Sequence, residues 1–196
     1  MTRFFDIIGS LFGLIVLSPI FLVVAICIKL NSKGPVFYRQ KRVGKSEKEF
    51  WLYKLRSMYV DADKRGLLTV GGRDPRITSV GYFLRKYKLD ELPQIWNVLT
   101  GDMSIVGPRP EVKKYVDLYT DEQKKILNVR PGITDMASIL YRNENEILAG
   151  RDDPEKFYIE NILGKKIELN YVFIKAPTVA NYFKIIFLTF GKVFKK

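Results

Sequence analysis

The sequence predicts a mostly α-helical protein of the α+β class, with a small β-hairpin, a re-entrant N-terminal membrane helix and interfacial amphipathic helices. Three observations predict it: an uncharged apolar run over residues 7–28, one pair of short strand-like segments, and several later segments with helical periodicity. We divide the chain into a membrane helix, residues 1–32, and one domain, residues 33–196, that includes a C-terminal interfacial helix.

The apolar run of residues 7–28 is long enough to enter a membrane and too long for the apolar core of a signal peptide. Ser18 and Pro19 fall at its middle, where the proline kinks a helix and the serine hydroxyl can satisfy the carbonyl that the proline frees. Basic residues flank both ends, Arg3 before and Lys29 after, so the charges favour neither orientation. We expect a helix that bends at Ser18-Pro19 and returns to the same face. The alternatives are an ordinary transmembrane helix and a buried core helix.

A hairpin and several short helices are predicted for the middle of the chain. Residues 36–42 and 50–55 have the composition of strands, and a turn at residues 44–46 separates them. The loop over residues 61–74 contains few apolar residues, which is typical of functional or mobile loops. Helices are predicted over residues 77–87, 92–99, about 121–129 behind a capping box that begins at Thr120, and 153–174 with an interruption near Gly164.

The C-terminal segment, residues 179–196, combines aromatic and lysine residues in a helical pattern that Thr178 can cap after Pro177. Such a helix suits the lipid interface, and it also suits packing on the domain. Both arrangements can hold at once.

The composition restricts the chemistry. Lys and Arg number 33 against 21 Asp and Glu, for a formal net charge of +12, which favours polyanionic partners such as nucleic acid, anionic lipid or phosphate-bearing substrates. The chain has no histidine and one cysteine, Cys27. These counts exclude histidine acid–base catalysis, histidine zinc sites, intrachain disulfides and thiolate metal clusters.

Asp90 and Glu91 stand directly before a predicted helix. Apolar residues of the segment 92–99 recur at i, i+3, i+4 and i+7, and Pro93 is compatible only with the first helical turn. The pair therefore falls at a helix N-terminus, where acidic residues commonly serve as caps. The same position would keep Asp90 ionised as a nucleophile, bind a phosphate, and let a divalent metal bridge carboxylate and phosphate.

A phosphate also needs cations. Arg85 precedes the acidic pair by five residues, and Arg109 is held between Pro108 and Pro110, which stiffen the backbone around it. Each arginine is also compatible with a solvated surface position, and Arg109 is the least ordinary of them. Further candidates are Arg73, Arg76, Arg130 and Arg142.

These motifs together resemble the bacterial sugar transferases, the small monotopic phosphoglycosyl transferases that begin glycoconjugate assembly on a polyprenol lipid. The resemblance extends from about Phe4 to the C-terminus, and several motifs in order carry it. They are RDPRITSVGYFLRKYKLDELPQIWNVLTGDMSIVGPRPE, GPVFYRQKRVG, FWLYKLRSM, RPGIT and the central Ser-Pro of the N-terminal helix.

The resemblance implies transfer of a sugar-1-phosphate from a UDP-sugar to polyprenol (undecaprenyl) phosphate, with release of UMP and a requirement for Mg²⁺. It implies a ping-pong mechanism in which Asp90 is the nucleophile and carries a covalent phosphosugar, with Glu91 as the second acid and both acids as tentative Mg²⁺ ligands. It assigns phosphate or nucleotide binding to Arg85 and to the run Pro108-Arg109-Pro110, and we add as substrate-binding candidates Arg76, Arg130 and Arg142.

The expected partners are therefore a UDP-sugar, polyprenol phosphate and an anionic bilayer, and not nucleic acid, with the oligomeric state left open. The expected location is the cytoplasmic face of a bacterial inner membrane. Residues 33–196 form the catalytic domain in this interpretation. The chemistry is consistent with a chain that lacks histidine, because neither an ionised carboxylate nor an acceptor phosphate needs a base.

One segment departs from the family pattern. After RPGIT many members continue with Gly-Trp-Ala-Gln, whereas this chain has Asp135-Met136-Ala137-Ser138. Two other functions remain as alternatives: a metal-dependent nucleotide-sugar hydrolase with water as acceptor, and a membrane-tethered protein that binds polyanions without catalysis.

Overall fold

Helices make up most of the chain, and the described residues also form two small two-stranded sheets. The structure is a computed structural model that describes residues 2–66, 68–71 and 74–194, with side chains up to residue 192. Arg73 and the predicted end of the last helix at residues 195–196 lie outside this description. The helices are α1 (Thr2–Asn31), α2 (Ser79–Lys86), α3 (Gln94–Thr100), α4 (Lys113–Val116), α5 (Asp121–Lys124), α6 (Met136–Leu140), α7 (Glu144–Ala149), α8 (Pro154–Phe157), α9 (Gly164–Lys175) and α10 (Val179–Phe194). The strands are β1 (Phe37–Val43), β2 (Glu49–Leu55), β3 (Ser104–Val106) and β4 (Gly132–Thr134).

The first half of α1 is attached to the domain through polar contacts. Arg3 Nη2 donates to the carbonyl of Leu99 at 3.0 Å. The carboxylate of Asp6 is buried, and its Oδ1 accepts hydrogen bonds from Ser104 Oγ at 3.0 Å and from the hydroxyl of Tyr182 at 2.9 Å. One buried carboxylate thus joins α1 to β3 and α10, with its hydrogen-bonding capacity largely satisfied.

The second half of α1 packs on the same domain through apolar contacts. Val24 and Ile28 form a buried cluster with Leu55 of β2 and Leu84 of α2. Helix α1 therefore lies along the domain over most of its length, and both of its ends contact it.

The outer face of α1 is apolar and exposed. The helix is long and apolar enough to cross a membrane by length and composition. It continues through Pro19 without a break in the assigned helix. The carbonyl of Ile15 loses its donor because Pro19 has no N–H, and Ser18 Oγ donates to that carbonyl at 2.8 Å. The expected role of the serine hydroxyl is confirmed, whereas the bend and the return to one face stay predictions.

The predicted hairpin is confirmed with small shifts at its ends. Strands β1 and β2 pair antiparallel from Phe37 opposite Leu55 to Val43 opposite Glu49. The turn between them contains a 3-10 segment, Lys45–Glu47. The side chain of Asn97 in α3 binds β2, accepting from Tyr53 N at 3.1 Å and donating to the carbonyl of Trp51 at 2.7 Å. This amide fixes α3, and hence the residues just before it, against the hairpin.

A second sheet was not predicted. Strands β3 and β4 pair in parallel, with Ser104 opposite Gly132 and Val106 opposite Thr134. At three residues each they are too short to show an alternating pattern, and their partners are far apart in the sequence. The expectation of a single hairpin is corrected accordingly.

The later helices follow the predicted signals with two differences. The capping box of Thr120 and Gln123 is present, but the helix behind it is α-helical only over Asp121–Lys124 and continues as a 3-10 segment. The expected interruption near Gly164 is present as an irregular stretch that ends directly before this residue, although the backbone stays helical through it. The irregularity is a π-helical segment, Tyr158–Leu163, whose wider turn inserts Tyr158 into the core.

The last helix, α10, has a packed face and an exposed face. The expected cap is confirmed, since Asn181 N donates to Thr178 Oγ1 at 3.1 Å. Tyr182 and Ile185 are buried, whereas Phe187 and Phe190 are exposed. Packing on the domain is therefore established, and the outward aromatic face is free to contact lipid.

Gly132→Ala tests how closely the two strands of the second sheet must approach. A Cβ at position 132 would overlap backbone atoms of Gly107, which cannot move aside as a flexible side chain can. We expect a loss of about 1–3 kcal/mol in the free energy of unfolding, measured by denaturant in detergent micelles. Gly150→Ala is the matched control, since a Cβ there has no neighbour within 4 Å among the described residues. Equal stability of the two variants would contradict the close approach.

Candidate active site

The acidic pair lies in a 3-10 turn, Leu89–Glu91, that precedes α3. Lys88 enters this turn with a positive φ of 57°, which is uncommon for a residue with a side chain and reverses the chain after α2. Helix α3 begins later than predicted, with Pro93 at its N-cap, and among the described residues no side chain caps it there. The expectation that the pair caps the helix is therefore wrong.

The carboxylate of Glu91 is bound by two cationic side chains. The guanidinium of Arg109 donates two hydrogen bonds to it, from Nη1 to Oε2 at 3.0 Å and from Nη2 to Oε1. Lys54 Nζ lies 3.5 Å from Oε1. Burial raises the pKa of Glu91, but Arg109 and Lys54 outweigh burial and hold that pKa well below its ordinary value. Glu91 is therefore a carboxylate that stays ionised and orients the guanidinium of Arg109.

Asp90 has the opposite electrostatic environment. Its side chain is 4 % exposed, and Oδ1 has no hydrogen-bond partner within the described part of the chain. Burial, followed by the negative charge of Glu91, raises the pKa of Asp90 above its ordinary value, although Lys54 and Arg85 oppose this. The sequence predicted that a helix N-terminus would favour ionisation of Asp90. The structure removes that support, because the residue lies outside α3 and is buried.

The hydrogen-bonding pattern separates the functions of the two acids. Both oxygens of Glu91 accept hydrogen bonds from cationic side chains, whereas Oδ1 of Asp90 has no partner among the described residues. Pairs of acids with pKa values displaced in opposite directions are typical of catalytic sites.

Two cavities adjoin the acidic pair. The α1 cavity has a volume of about 460 Å³ and lies under α1 and α10, with an apolar wall that includes Gly9, Ile95, Ile105, Ile186 and Phe190. The hairpin cavity has a volume of about 420 Å³ and is lined on its far side by residues of β1 and the core, including Tyr38, Gln40, Arg42, Glu111 and Tyr158. Residues that line both cavities are Lys54, Arg85, Asp90, Arg109, Glu144, Asn145 and Lys166.

The structure brings five of the predicted residues to one cavity. Asp90, Glu91, Arg85 and Arg109 all line the α1 cavity, and Arg85 Nη2 also donates to Thr69 Oγ1 at 2.8 Å, which places Thr69 beside the site. Arg142 lines the α1 cavity too and donates to the carbonyl of Lys192.

The remaining predicted residues have other positions. Pro108 and Pro110 flank Arg109 and restrict its backbone. Arg76 lines the hairpin cavity, but its guanidinium is held by Asp74, at 2.6 Å from Nη2, and by loop carbonyls. Arg130 donates to the carbonyl of Gly101 at 2.8 Å and is not among the described residues that line either cavity.

Several site residues were missed by the sequence reasoning. Lys54 ends the hairpin beside Glu91, and burial lowers its pKa to about 8. The only sequence signal for it was its place within the FWLYKLRSM motif. Glu144, Asn145 and Lys166 come from α7 and α9, and no local pattern marks them as neighbours of Asp90.

The side chains of the site offer few ligands for a divalent cation. Within the described chain, no group of three or more His, Cys, Asp and Glu side chains is arranged to hold a metal. The free Oδ1 of Asp90 is a suitable ligand for Mg²⁺, which commonly binds one or two carboxylates together with substrate phosphates. Both oxygens of Glu91 already accept from Arg109, and Lys54 lies near one of them, so a cation at Glu91 would compete with these partners.

Comparison with known proteins agrees with this geometry. The sequence profile of the family described as bacterial sugar transferase matches residues 1–196. The chain is 40% identical over 196 residues to the UDP-glucose:undecaprenyl-phosphate glucose-1-phosphate transferase of Klebsiella pneumoniae, covering 98% of this chain and 40% of that protein. It is 38% identical over 164 residues to the UDP-N-acetylgalactosamine-undecaprenyl-phosphate N-acetylgalactosaminephosphotransferase of Aeromonas hydrophila, covering 81% of this chain and 39% of that protein.

The chain thus spans about 40% of the length of these two relatives. The family profile, by contrast, matches the whole of it, including the acidic turn, the rigid arginine and the apolar first helix. The chain therefore belongs to the bacterial sugar transferase family.

Proposed function

We propose that the chain transfers a sugar-1-phosphate from a UDP-sugar to undecaprenyl phosphate and releases UMP. The observation that carries this proposal is the buried Asp90, which lines two cavities beside an ion-paired Glu91 and whose Oδ1 has no hydrogen-bond partner among the described residues. The names of the two relatives support the same reaction.

The reaction proceeds in two displacements. In the first, a carboxylate oxygen of Asp90 attacks the sugar-bearing phosphorus of the UDP-sugar. The Asp90 oxygen–phosphorus bond forms, the bond from that phosphorus to the bridging oxygen breaks, and UMP leaves with the electron pair. In the second, an oxygen of undecaprenyl phosphate attacks the same phosphorus and restores the carboxylate. The ionised form of Asp90 needs no base, which suits a chain without histidine.

The surrounding cations stabilise charge on the transferring phosphoryl group. Arg109 is oriented by Glu91, and Arg85 and Lys54 line both cavities. Phosphoryl transfer depends mainly on such positioning and charge stabilisation. Bound Mg²⁺, held through Asp90, would supply further neutralisation of phosphate charge.

The two cavities suit two different substrates. The α1 cavity has an apolar wall that includes Ile95 and Phe190 and lies beneath the helices with exposed apolar faces, so we assign it to the polyprenyl phosphate. The hairpin cavity presents Gln40, Arg42 and Glu111 and suits the polar nucleotide sugar. The residues that line both cavities support the binding of both phosphates next to Asp90.

We further propose that α1 is re-entrant, with both ends on the cytoplasmic face of the inner membrane. Both ends of α1 contact the same domain, through Arg3 and through Ile28, although a straight helix of 30 residues is roughly 45 Å long. A helix that crossed the bilayer would carry its two ends to opposite faces. Contacts of both ends with one domain therefore support the same-face arrangement.

The reaction is tested by supplying the protein with a panel of UDP-sugars, with and without undecaprenyl phosphate, and measuring UMP. With the correct sugar and no acceptor, we expect about one UMP per enzyme and a covalent phosphosugar on the protein, followed by turnover once the acceptor is added. Asp90→Asn should abolish both the UMP and the covalent adduct, because an amide is a poor nucleophile. The matched control Asp152→Asn, at an exposed position, should behave as the wild type.

Other outcomes would favour the alternatives. Continuous UMP release that is unchanged by omitting the acceptor indicates a hydrolase. No UMP release with any sugar indicates a protein that binds polyanions without catalysis. Full activity of Asp90→Asn would remove Asp90 as nucleophile.

The pH dependence of the first displacement should show two limits. Asp90 must be ionised, and because its pKa is raised, the rate of adduct formation should fall on the acid side at a higher pH than for an ordinary aspartate. Lys54 is charged below its pKa of about 8, so the rate should fall again as pH rises through that value. Lys54→Arg keeps the charge and should move the alkaline limit to higher pH. The control Lys41→Arg, on the exposed side of the same hairpin, should leave the alkaline limit of the rate at the same pH. If Lys54→Arg also leaves that limit unchanged, Lys54 is not the group that causes it.

The same-face arrangement is tested by cysteine labelling in sealed vesicles of known orientation. After Cys27→Ser, single cysteines are introduced as Thr2→Cys and Lys33→Cys, at the two ends of α1. We expect both to react with a membrane-impermeant maleimide from the cytoplasmic side. Reaction from opposite sides would establish a transmembrane helix.

A further inference from the structure

Asp135 lies behind the site and makes contacts that the proposed mechanism does not use. It is 2 % exposed, although it carries a carboxylate. Its Oδ2 accepts hydrogen bonds from the backbone N of Arg109 at 2.7 Å and from Asn170 Nδ2 at 3.0 Å, and its Oδ1 accepts one from Ser138 N. Both carboxylate oxygens are therefore engaged with hydrogen-bond donors.

The contact with Arg109 is specific to that backbone position. Pro108 and Pro110 have no N–H, so the N–H of Arg109 is the one backbone donor within that run of three residues. Asp135 binds this donor while the side chain of Arg109 extends to Glu91. Asp135 also adds a negative charge near the guanidinium, which contributes to the raised pKa of Arg109 after the larger effect of Glu91.

The contact with Asn170 pairs the charged carboxylate of Asp135 with a neutral amide. Asn170 is 5 % exposed on α9, and its amide hydrogens face the carboxylate of Asp135. An acid at both positions would bring two carboxylates together in a buried space. An amide at both positions would leave the N–H groups that donate to residue 135 with fewer acceptor oxygens. The three donors that face position 135 are satisfied when that residue is the acid and residue 170 is the amide.

We propose that Asp135 and Asn170 form a positioning pair that holds the backbone of Arg109 so that its guanidinium meets Glu91 beside the transferring phosphate. Asp135 belongs to the segment that departs from the family pattern, and the pair joins this segment to α9. Asp135 also orients Ser138, which lines the α1 cavity and whose Oγ is buried without a partner in the described residues. The inference rests on the proposed transferase function, because the readout is that reaction.

The test is a double-mutant cycle on the full-length protein, measured by adduct formation and by kcat and KM for the UDP-sugar. Asp135→Asn should lower kcat/KM, by up to roughly a hundredfold if Arg109 moves by an ångström. Asn170→Asp should lower it too, because two buried carboxylates then face each other. The exchange variant, with both substitutions, should lose less than the sum of the two single losses, because the repulsion between two buried carboxylates is absent from it. Full recovery is not expected, because Asp135 Oδ2 accepts from both Arg109 N and Asn170 Nδ2, so an amide nitrogen that donates to the acid at 170 also faces the N–H of Arg109.

Asp153→Asn is the matched control for replacing a capping aspartate by asparagine. Asp135 and Asp153 both cap short helices, the latter accepting from Lys156 N at 2.9 Å, but Asp153 is exposed and forms no hydrogen bond or ion pair with Arg109 within the described part of the chain. Its kcat/KM should be unchanged and its thermal midpoint should change little, because asparagine caps a helix about as well as aspartate does. Thermal midpoints of all variants are measured in the same detergent, and kinetics are measured well below them.

Three results distinguish the possibilities. A loss in the exchange variant that is smaller than the sum of the two single losses supports the pair. Wild-type kcat/KM in Asp135→Asn, or additive losses in the exchange variant, would overturn it. Absence of transferase activity in the wild-type protein would instead refute the proposed function, and the two failures are therefore separable.

Discussion

The ion pair between Arg109 and Glu91 is the interaction on which the arrangement of the site depends. It joins the rigid loop after β3 to the 3-10 turn before α3, and it forms in a partly buried space beside both cavities. Buried ion pairs contribute little net stability once the cost of desolvation is counted. The pair is better understood as a geometric constraint, which fixes a guanidinium and keeps Glu91 ionised at a point where a phosphate is expected to bind.

The negative charge of Glu91 also shapes the chemistry of its neighbour. Burial of Asp90 and the negative charge of Glu91 raise the pKa of Asp90. Oδ1 of Asp90 also lacks the hydrogen bonds that would weaken this oxygen as a nucleophile. Lys54 and Arg85 oppose this effect and keep the ionised form accessible. The site thus balances two adjacent acids against a group of cations, and histidine has no part in it.

The membrane segments and the site form one structure. Helix α1 contacts the domain from Arg3 to Ile28, and α10 is joined to it through Asp6 and Tyr182. The α1 cavity lies between these helices and the acidic turn. A lipid acceptor could therefore reach Asp90 from the apolar side while a soluble donor occupies the hairpin cavity. This arrangement suits a reaction at the surface of a bilayer.

The features that depend on near neighbours in the chain could be predicted from the sequence alone. The apolar length of α1, the hairpin, the caps at Thr120 and Thr178, and the stiff backbone around Arg109 all follow from composition and spacing. The family motifs identified the acidic pair, although spacing alone suggested a helix cap that the structure does not contain.

The tertiary structure decided which residues meet. Arg109 and Glu91 are 18 positions apart, Lys54 and Glu91 are 37 apart, and Asp135 meets Asn170 across 35 positions. The fold also distinguishes the candidate arginines. Arg85 and Arg109 line the cavity beside the two acids, whereas Arg130 donates a hydrogen bond to the carbonyl of Gly101. Periodicity constrains which face of an element a residue occupies, but it does not specify the partner across the core. The opposite protonation tendencies of Asp90 and Glu91 arise from those partners, so they could be read only from the folded chain.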